Sequence, residues 1–463
     1  MKSISRRALT LYLLIFVFLA GSFLSYYRLA VNADKWAMNK VNEHLYDDGA
    51  FTAGDISDRN GTVLATTENG VRTYNKDAAV RAATLQTVGD GAGFIASGIQ
   101  TSFKDELTGY TIKDGVFNLK RYGKGNDISL TLDADICKAA YNAMGSYNGV
   151  VGVMNYKTGE IVCIVSTPSY DPLNKPSEEK EGMYLNKFFG GVYTPGSTFK
   201  ILTLASAIEN IPNLENMTFE CKGHNGKGQI QIGEGYVYCS GVHGKIGIEK
   251  AFNQSCNCAF AELADTLGKE KLTATAEKAG FNIQMNKING KISCSRSTLS
   301  LGDAKALDLG WAGIGQYTTL VSPCHMLTVI SSIANGGTAV EPYVVNSITT
   351  PGGKELYTAE TKTLGEYFSP TTADKLKKYM RSNVENNYGD YRFKGLEMCG
   401  KTGTAEISDS EDAKPNALFT GFSSNPDYPF AIIVVVENST FSIQTAVPVA
   451  TKVMTAVKNA YSK

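Results

Sequence analysis

The run ALTLYLLIFVFLAGSFLSYY, from Ala8 to Tyr27, carries no charged side chain. A helix of about twenty residues rises about 30 Å, the thickness of a bilayer's hydrocarbon core. Inside that core a single segment can satisfy its own backbone N–H and C=O groups only as a helix. The run therefore commits the start of the chain to one membrane-crossing helix. Lys2, Arg6 and Arg7 precede it and Arg28 closes it. The run is long for the apolar part of a signal peptide and no small-x-small cleavage site follows, so the spacing predicts a retained anchor. The flanking charge puts residues 1–7 in the cytoplasm, 8–27 in the cell membrane as a single pass, and the rest on the outer face. No later stretch is long and apolar enough to cross again. FAIIVVVE, near the C-terminus, has the length and β-branching of a buried strand.

The exported part is long enough for two or three domains: the chain has 463 residues, 43% of them hydrophobic and 19% charged. Forty-five basic residues balance forty-five acidic ones with no polybasic stripe, which excludes nucleic acid as a partner class. Nine cysteines are an odd number, so they cannot all pair within the chain. Cys137, Cys163 and Cys399 have the apolar neighbours of buried thiols.

The texture changes near residue 132. Residues 28–132 are rich in turn formers and read as a small, partly β, membrane-proximal, non-catalytic domain. DKWAMNKVNEHLYDD suggests a short helix, and GDISDRNGTVLATT a hairpin turning at Asn60-Gly61. Residues 133–463 open with a helix from about Ala134, followed by a hairpin in GVVGVMNYKTGEIVCIVSTPSYDP. Helical stretches fill the middle, strands return in GLEMCGKTGTAE and ALFTGFSSNPDYPFAIIVVVEN, and AVPVATKVMTAVKNAY closes as a helix. Strands at both ends with helices between them predict an α+β domain whose sheet joins the two ends of this region.

Within that domain GGVYTPGSTFKILTLASAIEN puts Lys200 into an apolar helical run, three residues after Ser197. Residues so spaced share a helix face. A serine hydroxyl is a poor nucleophile until a base takes its proton, and a lysine serves as that base only when neutral. Burial and a second nearby cation both favour the neutral form. The same Ser-x-x-Lys pattern recurs by chance at Ser177 and Lys180, in a charged stretch with no apolar helix behind it.

Two further motifs distinguish the copies. Ser-x-Asn occurs at Ser146, Ser255 and Ser423, and Lys-Thr-Gly at Lys157 and Lys401. Ser146 and Lys157 precede Ser197, and Lys157 falls on the predicted hairpin turn. Ser423 sits in a Pro- and Asp-containing turn. Ser255 lies at a break between two helical runs, and Lys401 on a strand of small residues suited to line a cleft.

In the order Ser-Thr-Phe-Lys, Ser-Cys-Asn, Lys-Thr-Gly-Thr, the chain resembles the serine D,D-transpeptidase and β-lactamase superfamily. GDISDRNGTVLA, DISLTLDADIC, KTGEIVCIVSTPSYDP, YTPGSTFK, SCNCAFAELA, GIGQ, IANGG and CGKTGTAE are similar to class B penicillin-binding proteins in particular. The likeness runs from the anchor to the C-terminus. It implies the penicillin-binding transpeptidase fold, an antiparallel sheet flanked by helices plus a helical subdomain. It also implies roles. Ser197 would attack the penultimate D-alanine carbonyl of a peptidoglycan stem peptide ending in D-Ala-D-Ala, with Lys200 as base and Ser255 relaying a proton to the leaving D-alanine. Asn257 would hold the acyl chain's amide. Lys401 would supply positive potential, Thr402 and Thr404 would hold the substrate carboxylate, and Gly403 would let the strand approach closely. The N–H groups of Ser197 and Thr404 would form the oxyanion hole. A neighbouring stem peptide's amine would resolve the acyl-enzyme into a cross-link. β-Lactams would acylate the same serine, no cofactor is required for the chemistry, and a separate membrane glycosyltransferase and division or elongation proteins would be partners. A β-lactamase of the kind that uses a glutamate after Ser-x-Asn is disfavoured, since Lys278 to Val340 contains no glutamate. A D,D-carboxypeptidase, with water as acceptor, and a non-catalytic scaffold compete with the transpeptidase.

CKGHNGKGQIQIGEGYVYCSGVHG carries one more signal. Cys221, His224, Cys239 and His243 have ligand-like spacing for a structural zinc. A Cys221–Cys239 disulfide and free thiols are the competing readings, and Cys256 and Cys258, flanking Asn257, are packing thiols or alternative ligands. His325 is read as part of a packed helix.

Overall fold

The computed structural model describes residues 2–37, 53–69, 71–109, 124–405 and 414–462. Lys2–Ala37 is one helix. Its Arg6–Arg28 stretch has a mean hydropathy of 2.2 and is buried against none of the described residues. Phe16 and Phe18 remain 71% and 73% exposed. So much uncovered apolar surface is stable only in lipid, and the helix is a membrane anchor by length and composition. The second half of the short helix expected at DKWAMNKVNEHLYDD, and His44, lie outside the described residues.

A six-stranded sheet follows. Its strands are β1 (Ile56–Ser57), β2 (Val63–Glu68), β3 (Val71–Tyr74), β4 (Asp127–Leu130), β12 (Val345–Thr349) and β13 (Glu355–Thr358). They lie in the order β13-β12-β4-β1-β2-β3. The β1–β2 turn is at Asn60-Gly61: Gly61 has φ 81°, and Asp58 Oδ1 accepts from the N–H groups of Asn60 and Thr62. β4 pairs parallel to β1 and antiparallel to β12. The sheet therefore draws strands from both sides of residue 132. Residues 28–132 and 133–463 share hydrogen-bonded structure, a long-range pairing that no local pattern reveals.

In the second sheet, β5 (Gly149–Asn155) and β6 (Ile161–Thr167) are the expected hairpin, and β15 (Met398–Ala405), β16 (Asn416–Ser423) and β17 (Phe430–Val436) come from the far end of the domain. The order is β15-β16-β17-β5-β6, antiparallel throughout. All seven residues of β17 are buried, because helices cover both faces. The helices Ala134–Met144 and Ala446–Tyr461 pack together on one side, and Pro323–Ala334 lies against β17, β5 and β16. Asp133 starts the first of these by accepting from the N–H groups of Asp135 and Ile136. His325 is buried in Pro323–Ala334, between Ser297 Oγ and the Ala279 carbonyl.

A helical lobe completes the molecule. Its helices include Lys200–Asn210, Ile248–Asn253, Asn257–Lys278 and Ala306–Gly313. It carries a small sheet made of β7 (Thr218–His224), β8 (Lys227–Ile232), β9 (Gly235–Cys239) and β10 (Gly244–Gly247), in the order β10-β7-β8-β9. A two-stranded ribbon pairs β11 (Thr338–Val340) with β14 (Thr363–Glu366). The edge strand β15 packs against the turn Gly196–Thr198 that leads into the helix Lys200–Asn210.

Candidate active site

Ser197 sits in a single 3-10 turn, Gly196–Thr198, directly before the helix that begins at Lys200. Gly196 has φ +51°, and a Cβ there would stand 2.6 Å from the Thr404 carbonyl oxygen. A Cβ on Gly403 would stand 2.5 Å from the Pro195 carbonyl oxygen. Two glycines thus let the nucleophile turn and β15 touch backbone to backbone. Behind the turn, Tyr193 OH donates to Glu437 Oε1 at 2.7 Å and Lys187 Nζ pairs with Glu437 Oε2 at 2.5 Å. This partly buried ion pair ties the approach to Ser197 to the end of β17.

Lys200 is fully buried. Its Nζ lies 2.6 Å from the Ser255 carbonyl oxygen, 2.7 Å from Asn257 Oδ1 and 3.3 Å from Ser255 Oγ. Lys401 is also fully buried, and its Nζ lies 2.9 Å from Ser255 Oγ and 3.2 Å from the Thr402 carbonyl oxygen. Burial, and then the Lys401 charge, lower Lys200 to about 7. Burial lowers Lys401 to about 7. Two aromatic faces partly compensate the charge, Phe260 under Lys200 and Phe252 under Lys401.

Ser255 lies between the helices Ile248–Asn253 and Asn257–Lys278 with φ +52°. That conformation is costly for a residue with a Cβ, and it turns the hydroxyl toward both lysines. The structure brings Ser255, Asn257, Lys200 and Lys401 together, beside the turn that carries Ser197. Lys200 points at the Ser-Cys-Asn segment, and among the described residues the Ser197 hydroxyl takes part in no hydrogen bond. Catalytic bonds commonly tighten only once substrate is seated.

Thr402 and Thr404 are half-buried on β15. Thr402 Oγ1 is 2.9 Å from Tyr388 OH, and Thr404 Oγ1 is 3.2 Å from Ser442 Oγ, which donates to the Gly403 carbonyl. Tyr388 OH also accepts from the Thr402 N–H and from Asn383 Nδ2. Tyr388, Asn383 and Ser442 support the strand and went unread in the sequence. They belong to no fixed spacing, and only the amide-rich NVENNYGDY hints at them. The rival copies are elsewhere. Lys157 is exposed on the β5–β6 turn, Ser177 and Lys180 are on an exposed loop, and Ser423 is buried at the end of β16 with its hydroxyl on the Leu396 carbonyl.

The cysteine–histidine cluster forms, with one change of member. Ligand atoms of Cys221, Cys239, His243 and Cys256 lie within 4.8 Å of one another. His224 is outside the group, exposed at the β7–β8 turn where Asn225 and Gly226 reverse the chain, and Cys256 stands in its place. The Cys258 thiol adjoins Cys221, Cys239 and Cys256. All nine cysteines are free and buried.

Comparison with known proteins gives the family and the fold. Residues 149–455 match the penicillin binding protein transpeptidase domain family. A peptidoglycan D,D-transpeptidase PbpA of Mycolicibacterium smegmatis is 28% identical over 72% of this chain and 71% of its own length. Stage V sporulation protein D of Bacillus subtilis is 30% identical over 69% of this chain and 51% of its own length. The D,D-transpeptidase domain of a peptidoglycan glycosyltransferase from Eggerthella lenta superposes with a TM-score of 0.75 at 26% identity, covering 88% of this chain and 98% of that one. Penicillin-binding protein A of M. tuberculosis, as a ceftriaxone acyl-enzyme, shares the fold with a TM-score of 0.77 at 23% identity, over 88% of this chain and 98% of that one. The chain belongs to the penicillin-binding protein transpeptidase family. Within it the chain is a class B member, a D,D-transpeptidase.

Proposed function

We propose that this chain cross-links peptidoglycan stem peptides through an acyl-enzyme on Ser197, on the outer face of the membrane that its N-terminal helix crosses. The convergence of Lys200 and Lys401 on Ser255, beside the Ser197 turn, carries the reading. Neutral Lys200 takes the Ser197 proton as Oγ attacks the penultimate D-alanine carbonyl. Ser255, hydrogen-bonded to both lysines, passes a proton to the departing D-alanine amine. Asn257, Thr402 and Thr404 hold the substrate, the N–H groups of Ser197 and Thr404 receive the oxyanion, and an acceptor amine then releases Ser197. In this reading the chain works with a separate membrane glycosyltransferase and the division or elongation apparatus, through the anchor and residues 28–132. Intact-mass measurement of the full-length protein in detergent with benzylpenicillin tests the core of it. One stable adduct on the native protein and none on Ser197→Ala supports the transpeptidase. Rapid loss of the adduct with hydrolysed drug favours a β-lactamase, and no adduct on folded protein favours a scaffold.

The thiol cluster supports a structural zinc as well. Around a tetrahedral zinc with bonds of about 2.3 Å, ligand atoms stand about 3.8 Å apart, a spacing that fits within the cluster's span. A Cβ on Gly228 would come 2.2 Å from Cys221 Sγ, so the backbone leaves the sulfur clear. Cys221, Cys239, Cys256 and His243 would hold the ion, which would brace the segment carrying Ser255 and Asn257. Elemental analysis of the full-length protein should find about one zinc per chain, lost in Cys256→Ser. A folded, reduced protein without metal would sink the idea.

A further inference from the structure

The small sheet β10-β7-β8-β9 has two unlike faces. Phe219, Cys221, Val237 and Cys239 point inward and are buried. Gln231, Tyr236 and Tyr238 point outward, and the tyrosines are 43% and 48% exposed. The register sets Gln229 opposite Tyr238 and Gln231 opposite Tyr236. The two rings are stacked, 6.4 Å between centroids at 30°. β7 pairs with β8 only over Lys222–His224 and turns to β10 over Thr218–Cys221, so β7 and β8 diverge. A cleft of about 590 Å³ opens between them, reaching from Phe219 past Gln229 and Gln231 to Tyr236.

The chemistry of this face selects a ligand class. Aromatic rings with polar tips bury well against flat apolar surfaces, and gain little from standing in water. A primary amide both donates and accepts. Flat C–H faces beside hydroxyl and acetamido groups are what an amino-sugar chain presents. The charges around the cleft cancel: Lys222 and Lys245 face Glu220 and Glu262, and Lys222 pairs with Glu220 at 3.5 Å. That balance suits a neutral polymer rather than a polyanion. The position also matters, because Asn257 Nδ2 donates to the Tyr238 carbonyl oxygen at 2.9 Å. The strand bearing the rings is thus bonded to the segment that holds Lys200.

We propose that the outer face of β7–β9 binds the amino-sugar strand of peptidoglycan, so that a stem peptide hanging from that strand is delivered beside Ser197. The inference rests on the transpeptidase reading above. Its test is calorimetric binding of a neutral, fully N-acetylated oligosaccharide of N-acetylglucosamine to the full-length protein in detergent. The Tyr236→Ala/Tyr238→Ala double variant should bind about tenfold or more weakly, as expected for two lost ring contacts. Gln229→Ala/Gln231→Ala, altering surface side chains only, should weaken binding in the same direction and serves should the first variant fail to fold. No binding by native protein, or unchanged binding by folded variants, overturns the platform. The penicillin adduct is measured on the same native preparation. Adduct without glycan binding refutes the platform and leaves the enzyme, whereas ring-dependent glycan binding without adduct keeps the platform and refutes the enzyme.

Discussion

Lys401 Nζ and Ser255 Oγ lie 2.9 Å apart, and Lys200 Nζ reaches the same oxygen at 3.3 Å. A hydroxyl has one proton to give and can accept from a neighbour. Burial disfavours the charged form of both lysines, and the Lys401 charge lowers Lys200 further, which is why they titrate near neutrality rather than at the ordinary lysine value. With one proton shared between the lysines, Ser255 accepts from the ammonium and donates to the amine. The arrangement is poised to pass a proton in either direction.

That pairing sets a pH dependence. A lysine lowered to about 7 gives up its proton as pH rises through that value, so the fraction of neutral Lys200 grows from about pH 6 to about pH 8. The rate of benzylpenicillin acylation should rise over the same interval. Loss of the second proton, needed by Lys401 as a cation, should lower it again at higher pH. Rapid-quench acylation rates of the full-length protein check the profile; a flat one would remove Lys200 from the role of base.

Lys200→Met should separate catalysis from stability. Keeping a buried lysine at a value near 7 costs on the order of 4 kcal/mol at neutral pH relative to an unfolded chain. Removing it strands the Ser255 carbonyl and Asn257 Oδ1, at about 1–3 kcal/mol each. The two effects offset, and the net change should stay within about 2 kcal/mol, while acylation falls by about 10²-fold to 10⁴-fold. The sign with pH is also fixed. Above about pH 7 the unfolded lysine binds more protons than the folded one, so wild-type stability gains from this residue as pH rises toward its ordinary value. Denaturant melts of both proteins at neutral and alkaline pH should show a larger gain in the wild type than in the variant, which keeps only the gain due to Lys401.

Gly403→Ala tests the contact between β15 and the nucleophile turn. The new methyl would meet the Pro195 carbonyl oxygen at 2.5 Å and Thr198 Cγ2 at 2.9 Å. Neither neighbour can rotate away, since one is backbone and the other is buried. The strand or the turn must shift, which should cost about 1–3 kcal/mol of stability. A displacement near 1 Å at the reacting centre should lower acylation by about 10²-fold. Melting temperature and adduct formation, read together, check both halves.

Sequence and structure agree where the signal is local. Ser197 and Lys200, three apart before an apolar run, could be read directly, as could the Asn60-Gly61 hairpin, the buried strand Phe430–Val436 and the helix from Ala134. Ser255 and Lys401 needed motif order to be told from their copies. Four findings depend on chain folding that no window contains. β4 and β12 pair across more than two hundred residues of sequence. Cys256 replaces His224 because the helix Asn257–Lys278 carries its own N-terminus against β9, while the β7–β8 turn carries His224 into solvent. Lys200 points at Asn257 rather than at its helical neighbour. Tyr388 meets Thr402 only because the chain after Asn383 folds back under β15.

That last contact makes Tyr388→Phe informative. The phenol OH is buried and takes three hydrogen bonds, from the Thr402 N–H, from Asn383 Nδ2 and with Thr402 Oγ1. Phenylalanine keeps the ring against Phe419 and removes only the oxygen. The Thr402 N–H and the Asn383 amide then lose a partner inside the protein, at a cost of about 1–3 kcal/mol. Thr402, freed from the phenol, no longer has a fixed rotamer. If its hydroxyl holds the substrate carboxylate, penicillin acylation should weaken mainly through binding, with the limiting acylation rate nearly kept and the concentration for half-maximal rate raised. Concentration dependence of acylation separates the two. A variant that loses stability but acylates with wild-type concentration dependence would leave Tyr388 as a support of β15 and take Thr402 out of substrate recognition.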